Sequence, residues 1–133
     1  FRRVLFRSLQ KPSGHNNFYG LIVGGRNLDG PQQAYLYFVV SQEGTFLIRR
    51  RDGENVTDVK TYTPHAAVAK PGANGQSVNA LELRVAGDTM SFVVNGTVVH
   101  SAPKASVTTD GIVGVRVNHQ LDVQVDDLNI QRQ

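Results

Sequence analysis

Apolar and polar residues alternate along most of this chain in short runs, broken roughly every 8 to 12 residues by Gly, Asn or Asp. Helical periodicity is almost absent. A period of two with frequent turn residues predicts a β-sandwich or barrel. Phe18–Gly25 (FYGLIVGG) reads as one strand and Ala34–Ser41 (AYLYFVVS), rich in aromatic and β-branched residues, as the next. Gln42-Glu43-Gly44 turns the chain into Thr45–Arg51, and Asp52-Gly53 turns it again into Val56–Tyr62. Thr63–Gln76, with Pro64, Pro71, Gly72, Asn74 and Gly75, reads as a loop with one helical turn near His65–Val68.

The clearest alternation lies between Asn79 and Val99. Leu81, Leu83 and Val85 alternate with Glu82, Arg84 and Ala86; Gly87-Asp88 reverses the chain; Met90, Phe92 and Val94 alternate with Ser91, Val93 and Asn95. Asn95-Gly96 is a strong hairpin signal, because a type I′ turn needs positive φ at both central residues. Pro103–Thr109 is a connection and Asp110-Gly111 a turn. Ile112–Asn118 and Leu121–Ile130 are the last strands. In the final strand the apolar positions are odd-numbered at Leu121, Val123 and Val125, then even-numbered at Leu128 and Ile130. An extra residue at Asp126-Asp127, a β-bulge, keeps both sets on one side. The expected fold is all-β: a two-sheet antiparallel jelly-roll sandwich.

Composition narrows the chemistry. The 133 residues fit one domain, and 40% apolar with 19% charged residues is an ordinary globular balance. There is no cysteine, which excludes disulfides, thiolate metal sites and cysteine nucleophiles. No apolar run reaches the ~18 residues of a membrane helix. The net charge of +3 depends on the first eight residues, FRRVLFRS. Leu5-Phe6-Arg7-Ser8 is what one frame of a common sequencing adapter encodes. Phe1–Ser8 is therefore read as a non-native segment, with residues 9–133 as the single domain; the alternative is a genuine basic strand. Without Arg2, Arg3 and Arg7, Lys+Arg falls from 14 to 11 against 11 Asp+Glu. The basic balance then points to no nucleic-acid partner. On this reading the natural N-terminus, with any export signal and earlier strands, is missing.

The run NALELRVAGDTMSFVVNGTVV (Asn79–Val99), with TDGIVGVRVNHQLDVQVDDLNI (Thr109–Ile130), resembles the concanavalin A-like lectin/glucanase superfamily. The likeness is to its laminin-G-like and 3-keto-disaccharide hydrolase-like branch, and Tyr19–Gly53 looks like the preceding strands of such domains. The resemblance implies a jelly-roll sandwich, an extracytoplasmic (periplasmic or secreted) bacterial setting, and glycan handling. It does not carry an activity, because fold alone does not fix function.

A retaining glucanase needs two carboxylates about 5–5.5 Å apart, and no Glu-x-Asp-x-x-Glu run occurs. Asp122, Asp126 and Asp127 offer oxygens, yet calcium needs six to eight, and a bulged edge strand accounts for them. His15, His65, His100 and His119 lack metal spacing. No cofactor or metal is indicated. Strand alternation separates Arg50 from Arg49 and Arg51, so Arg49-Arg50-Arg51 is a poor nucleic-acid footprint. The same alternation groups Tyr35 with Tyr37, and Gly114, Arg116 and Asn118 opposite Val113, Val115 and Val117. With those valines between the sheets, a face of Tyr rings and Arg donors becomes a sugar platform. The ligand-binding set is then Tyr35, Tyr37, Arg49, Arg51, Arg116 and His119. Three functions stay open: a carbohydrate-binding or accessory module of an exported protein, a glycoside-processing hydrolase domain, and a structural or protein-binding module. Oligomeric state is not encoded in any feature of the sequence.

Overall fold

The computed structural model describes the backbone of residues 2–10, 18–70, 72, 76–104, 111–117 and 121–130, and the side chains of the same residues outside the first and last strands. The strands are β1 (Arg2–Gln10), β2 (Phe18–Arg26), β3 (Ala34–Ser41), β4 (Thr45–Asp52), β5 (Asn55–Pro64), β6 (Gln76–Ala86), β7 (Thr89–Val94), β8 (Thr97–Pro103), β9 (Ile112–Val117) and β10 (Leu121–Ile130). The first sheet runs β10-β1-β6-β7-β8 and the second β5-β4-β3-β2-β9. The described residues contain no α-helix.

The two sheets stack through their alternating apolar positions. Tyr19, Leu21, Val23, Leu36, Phe38, Val40, Phe46 and Ile48 from the second sheet meet Leu81, Leu83, Met90, Phe92 and Val94 from the first. Phe38 and Phe92 touch edge to face at 5.3 Å between centroids, a favoured geometry for opposed ring quadrupoles. The expected alternation of Asn79–Val94 is realised residue by residue. Asn95 and Gly96 take φ of 51° and 84°, the left-handed pair that closes the β7–β8 hairpin.

The loop after β5 seals one end of the sandwich. Val68 N–H donates to the His65 carbonyl at 3.1 Å, the single turn expected there. Val68 enters the core. Asn79, fully buried in β6, holds this loop: its Oδ1 accepts from Ala69 N–H at 2.8 Å, and its Nδ2 donates to Tyr19 Oη at 2.8 Å and to the Ala69 carbonyl at 3.2 Å. Asn95 Nδ2 donates in turn to Asn79 Oδ1 and to the Ala67 carbonyl. The buried amide of Asn79 is tolerated because both its oxygen and its nitrogen are bonded.

Between Arg3↔Asn129 and Leu5↔Asp126, β10 spends one more residue than β1. This is the irregularity that the parity switch at Asp126-Asp127 predicts. The segment set apart in the sequence, Phe1–Ser8, supplies most of β1, which pairs with both β6 and β10.

One packing expectation needs correction. Val115 and Val117 lie opposite Leu21 and Tyr19, on the inward side, but each is 42% exposed; only Val113 packs on the core. The reason is position. Among the described pairings β9 bonds to β2 alone, so its inward valines sit at the flank of the sandwich.

Candidate functional site: the outer face of the second sheet

Cross-strand register decides which side chains share the outer face. Tyr35 pairs with Arg51 and Tyr37 with Arg49 across β3–β4; Ile22 pairs with Tyr37 and Gly20 with Arg116 on the other side. Tyr35, Tyr37, Arg49, Arg51 and Arg116 therefore stand on one face. Arg50 pairs with Leu36 and takes the opposite side. His119 lies outside the described residues, as do Asn118, His15 and the side chains of Asp122, Asp126 and Asp127.

This face is apolar at its base. Phe18, Tyr37, Val39 and Leu47 form a second cluster, with Ile22 and Tyr35 packed against it. Val39 is 1% and Leu47 3% exposed although both point away from the first sheet. Their cover comes from the face itself. Phe18 on β2 and Tyr62 on β5 are separated by β3 and β4, yet their rings lie 5.1 Å apart. They must reach toward each other over the two intervening strands. Tyr62 keeps 50% of its surface in solvent.

Three arginines sit around this cluster. Arg49 Nε donates to Asp58 Oδ1 at 2.6 Å and Arg49 Nη1 to Tyr37 Oη at 3.4 Å. The hydrogen bond to Asp58, more than the opposing loss of solvation, raises the Arg49 pKa further above its ordinary value. Its guanidinium carbon is 5.7 Å from the Tyr62 centroid. Arg116 lies over the Tyr37 ring at 4.6 Å, a cation–π contact. Arg51 Nε donates to the Gly53 carbonyl at 3.0 Å. Tyr35 and Tyr37 rings tilt against each other at 5.9 Å.

The geometry reassigns roles within the expected set. Tyr37, 7% exposed and capped by Arg116, is no open stacking surface. The accessible ring is Tyr62, which the sequence left as an ordinary strand residue. Alternation from Asp58 puts Tyr62 on this face, and two register irregularities in β4–β5, at Phe46/Ile48 and Ile48/Arg49, shift it along the strand toward Leu47 without changing its side. Asp58 faces Arg49 through the regular pairing that runs back from the Asp52-Gly53 turn. No group of three or more His, Cys, Asp or Glu arranged to hold a metal occurs among the described residues, and they include no helix long and apolar enough to cross a membrane. Of the two glycosylation-type triplets, Asn55-Val56-Thr57 and Asn95-Gly96-Thr97, the second has its amide nitrogen engaged by Ala67 and Asn79.

No family model and no curated protein matches this chain. Solved structures do match in fold. Sheep galectin-11, in complex with glycerol, aligns with TM-score 0.55 at 16% identity, covering 93% of this chain and 88% of its own. The Caenorhabditis elegans galectin LEC-6 aligns with TM-score 0.56 at 14% identity, covering 97% and 82%. Two stacked antiparallel sheets that align with galectin structures across nearly the whole chain give this protein the concanavalin A-like jelly-roll fold.

Proposed function

We propose that this protein is a carbohydrate-binding β-sandwich module whose ligand lies on the outer face of the second sheet. One observation carries the reading: the half-exposed Tyr62 ring stands beside a hydrogen-bonded Arg49–Asp58 pair. A pyranose offers an apolar C–H face and a rim of hydroxyls. The ring stacks on the first; the guanidinium donates to, and the carboxylate accepts from, the second. Galectin neighbours support a lectin-like role through fold. The likeness of Asn79–Val99 to the lectin/glucanase superfamily supports an extracytoplasmic bacterial setting.

The hydrolase alternative finds less support on this face. Among the described residues, Asp58 is the carboxylate that strand register places there, and it is already paired with Arg49. Two-carboxylate glycoside hydrolysis needs a second acid. A protein-binding reading of the laminin-G-like kind draws on β9, where Ile112, Val115 and Val117 are exposed along a sheet edge.

A glycan array with the intact chain tests the proposal. At least one glycan class should bind, and Tyr62→Ala should weaken it about tenfold, the size of one aromatic contact. Arg49→Gln should do the same without lowering the melting temperature by more than a few degrees. A blank array, or variants that bind like the parent, would refute the sugar reading.

A further inference from the structure

We infer that the glycan recognised by this face is acidic, carrying a sulfate ester or a uronate carboxylate. The inference rests on the sugar-binding reading and names the ligand class for that same face. Its basis is an imbalance of charge. Three guanidinium groups, from Arg49, Arg51 and Arg116, share the face with Asp58. Asp58 is consumed by Arg49 at 2.6 Å. Arg51 donates to the Gly53 backbone carbonyl and Arg116 rests on the Tyr37 ring; among the described residues neither has a carboxylate partner.

The opposite side of the sandwich gives the contrast. Arg84, outward on the first sheet, lies 2.7 Å from Glu82 and is compensated. The outer face of the second sheet leaves Arg51 and Arg116 without such compensation among the described residues. Beneath them are Tyr37, Val39 and Leu47, all buried. An apolar base lowers the local dielectric and strengthens the pull of a guanidinium on an anion. Stacking also preserves the chemistry that matters. A guanidinium lying on a ring keeps the N–H donors at its edge, the donors that grip an oxyanion in pairs. A neutral sugar covering the same ground would strip water from two cations and return no charge.

Matched pairs of polymers isolate the charge from the sugar. The intact chain is assayed for binding to polygalacturonate and its methyl ester, and to chondroitin sulfate and its desulfated form, at low and physiological ionic strength. At least one acidic member should bind about tenfold more tightly than its neutral partner and weaken as salt rises through about 0.15 M. Preference for the first pair identifies a uronate, and for the second a sulfate. Arg51→Gln and Arg116→Gln should each erase most of that preference, while Arg84→Gln leaves it unchanged. Equal binding within both pairs, or an equal loss in Arg84→Gln, overturns the acidic assignment and leaves the sugar reading standing. Failure of every glycan, charged or neutral, overturns both.

Discussion

Each face of the second sheet has a buried apolar cluster, but the two are covered by different means. On the inner face, Leu21, Leu36, Phe38, Phe46 and Ile48 are covered by a whole second sheet, whose strands are held by ladders of backbone hydrogen bonds. On the outer face, Val39 and Leu47 are covered by side chains of their own sheet, chiefly rings reaching over from β2 and β5. The first kind of cover is part of the fold. The second consists of rotamers, which can move at a cost far below that of unfolding. A ligand displacing such a roof exchanges one set of contacts for another, and this suits the outer face to binding.

The sharpest way to break this comparison is a pair of truncations. Phe38→Ala opens a cavity between two fixed sheets and should cost about 3–5 kcal/mol in denaturant unfolding. Leu47→Ala should cost nearer 2 kcal/mol, because Phe18 and Tyr62 can settle onto the space. Equal losses would make the outer cluster a second core.

Polar contacts should divide in the same way. Asn79→Leu strips partners from Tyr19 Oη and from the Ala69 N–H and carbonyl and should cost about 3 kcal/mol in denaturant unfolding. Asp58→Asn should cost less than about 1 kcal/mol, since that side chain is 41% exposed and its pair with Arg49 is screened.

The smallest effect is set by pH at the rim of the inner gap. His100 on β8 packs against Phe92, and burial, followed by repulsion from Lys60, holds its pKa below the ordinary 6.5. The unfolded chain then takes up this proton first. The stability linked to His100 is present above about pH 6.5 and declines as pH falls through that value toward the folded pKa. Unfolding midpoints measured between about pH 8 and about pH 5 should show this decline in the parent protein. They should show less of it in Lys60→Gln and none of the His100 component in His100→Gln.

Much of this architecture is legible in alternation alone. Ala34–Ser41 and Leu121–Ile130 match their strands end to end, and the parity switch in the last strand marks its bulge. The division of Arg49 and Arg51 from Arg50 follows from a period of two and holds in the register. What escapes is whatever depends on distant strands. Tyr62 is shifted to the level of Leu47 by irregularities in β4–β5 pairing, and its contact with Phe18 spans two strands. That Arg116 would cap Tyr37, closing one stacking surface, depends on β9 lying beside β2. The exposure of Val115 and Val117 likewise follows from an edge position that local pattern does not encode.

The pairing of β1 with β10 joins the beginning of the described chain to its end. On a ribosome, the meanders β2–β5 and β6–β8 can zip through short turns as they emerge. β1 can pair with β6 once β6 emerges, but the β10–β1 seam must wait for β10, and β9 must travel back to β2. Synthesis therefore leaves an edge of each sheet unpaired until its last strand arrives, so that yield in a cell should track chaperone supply more closely than final stability.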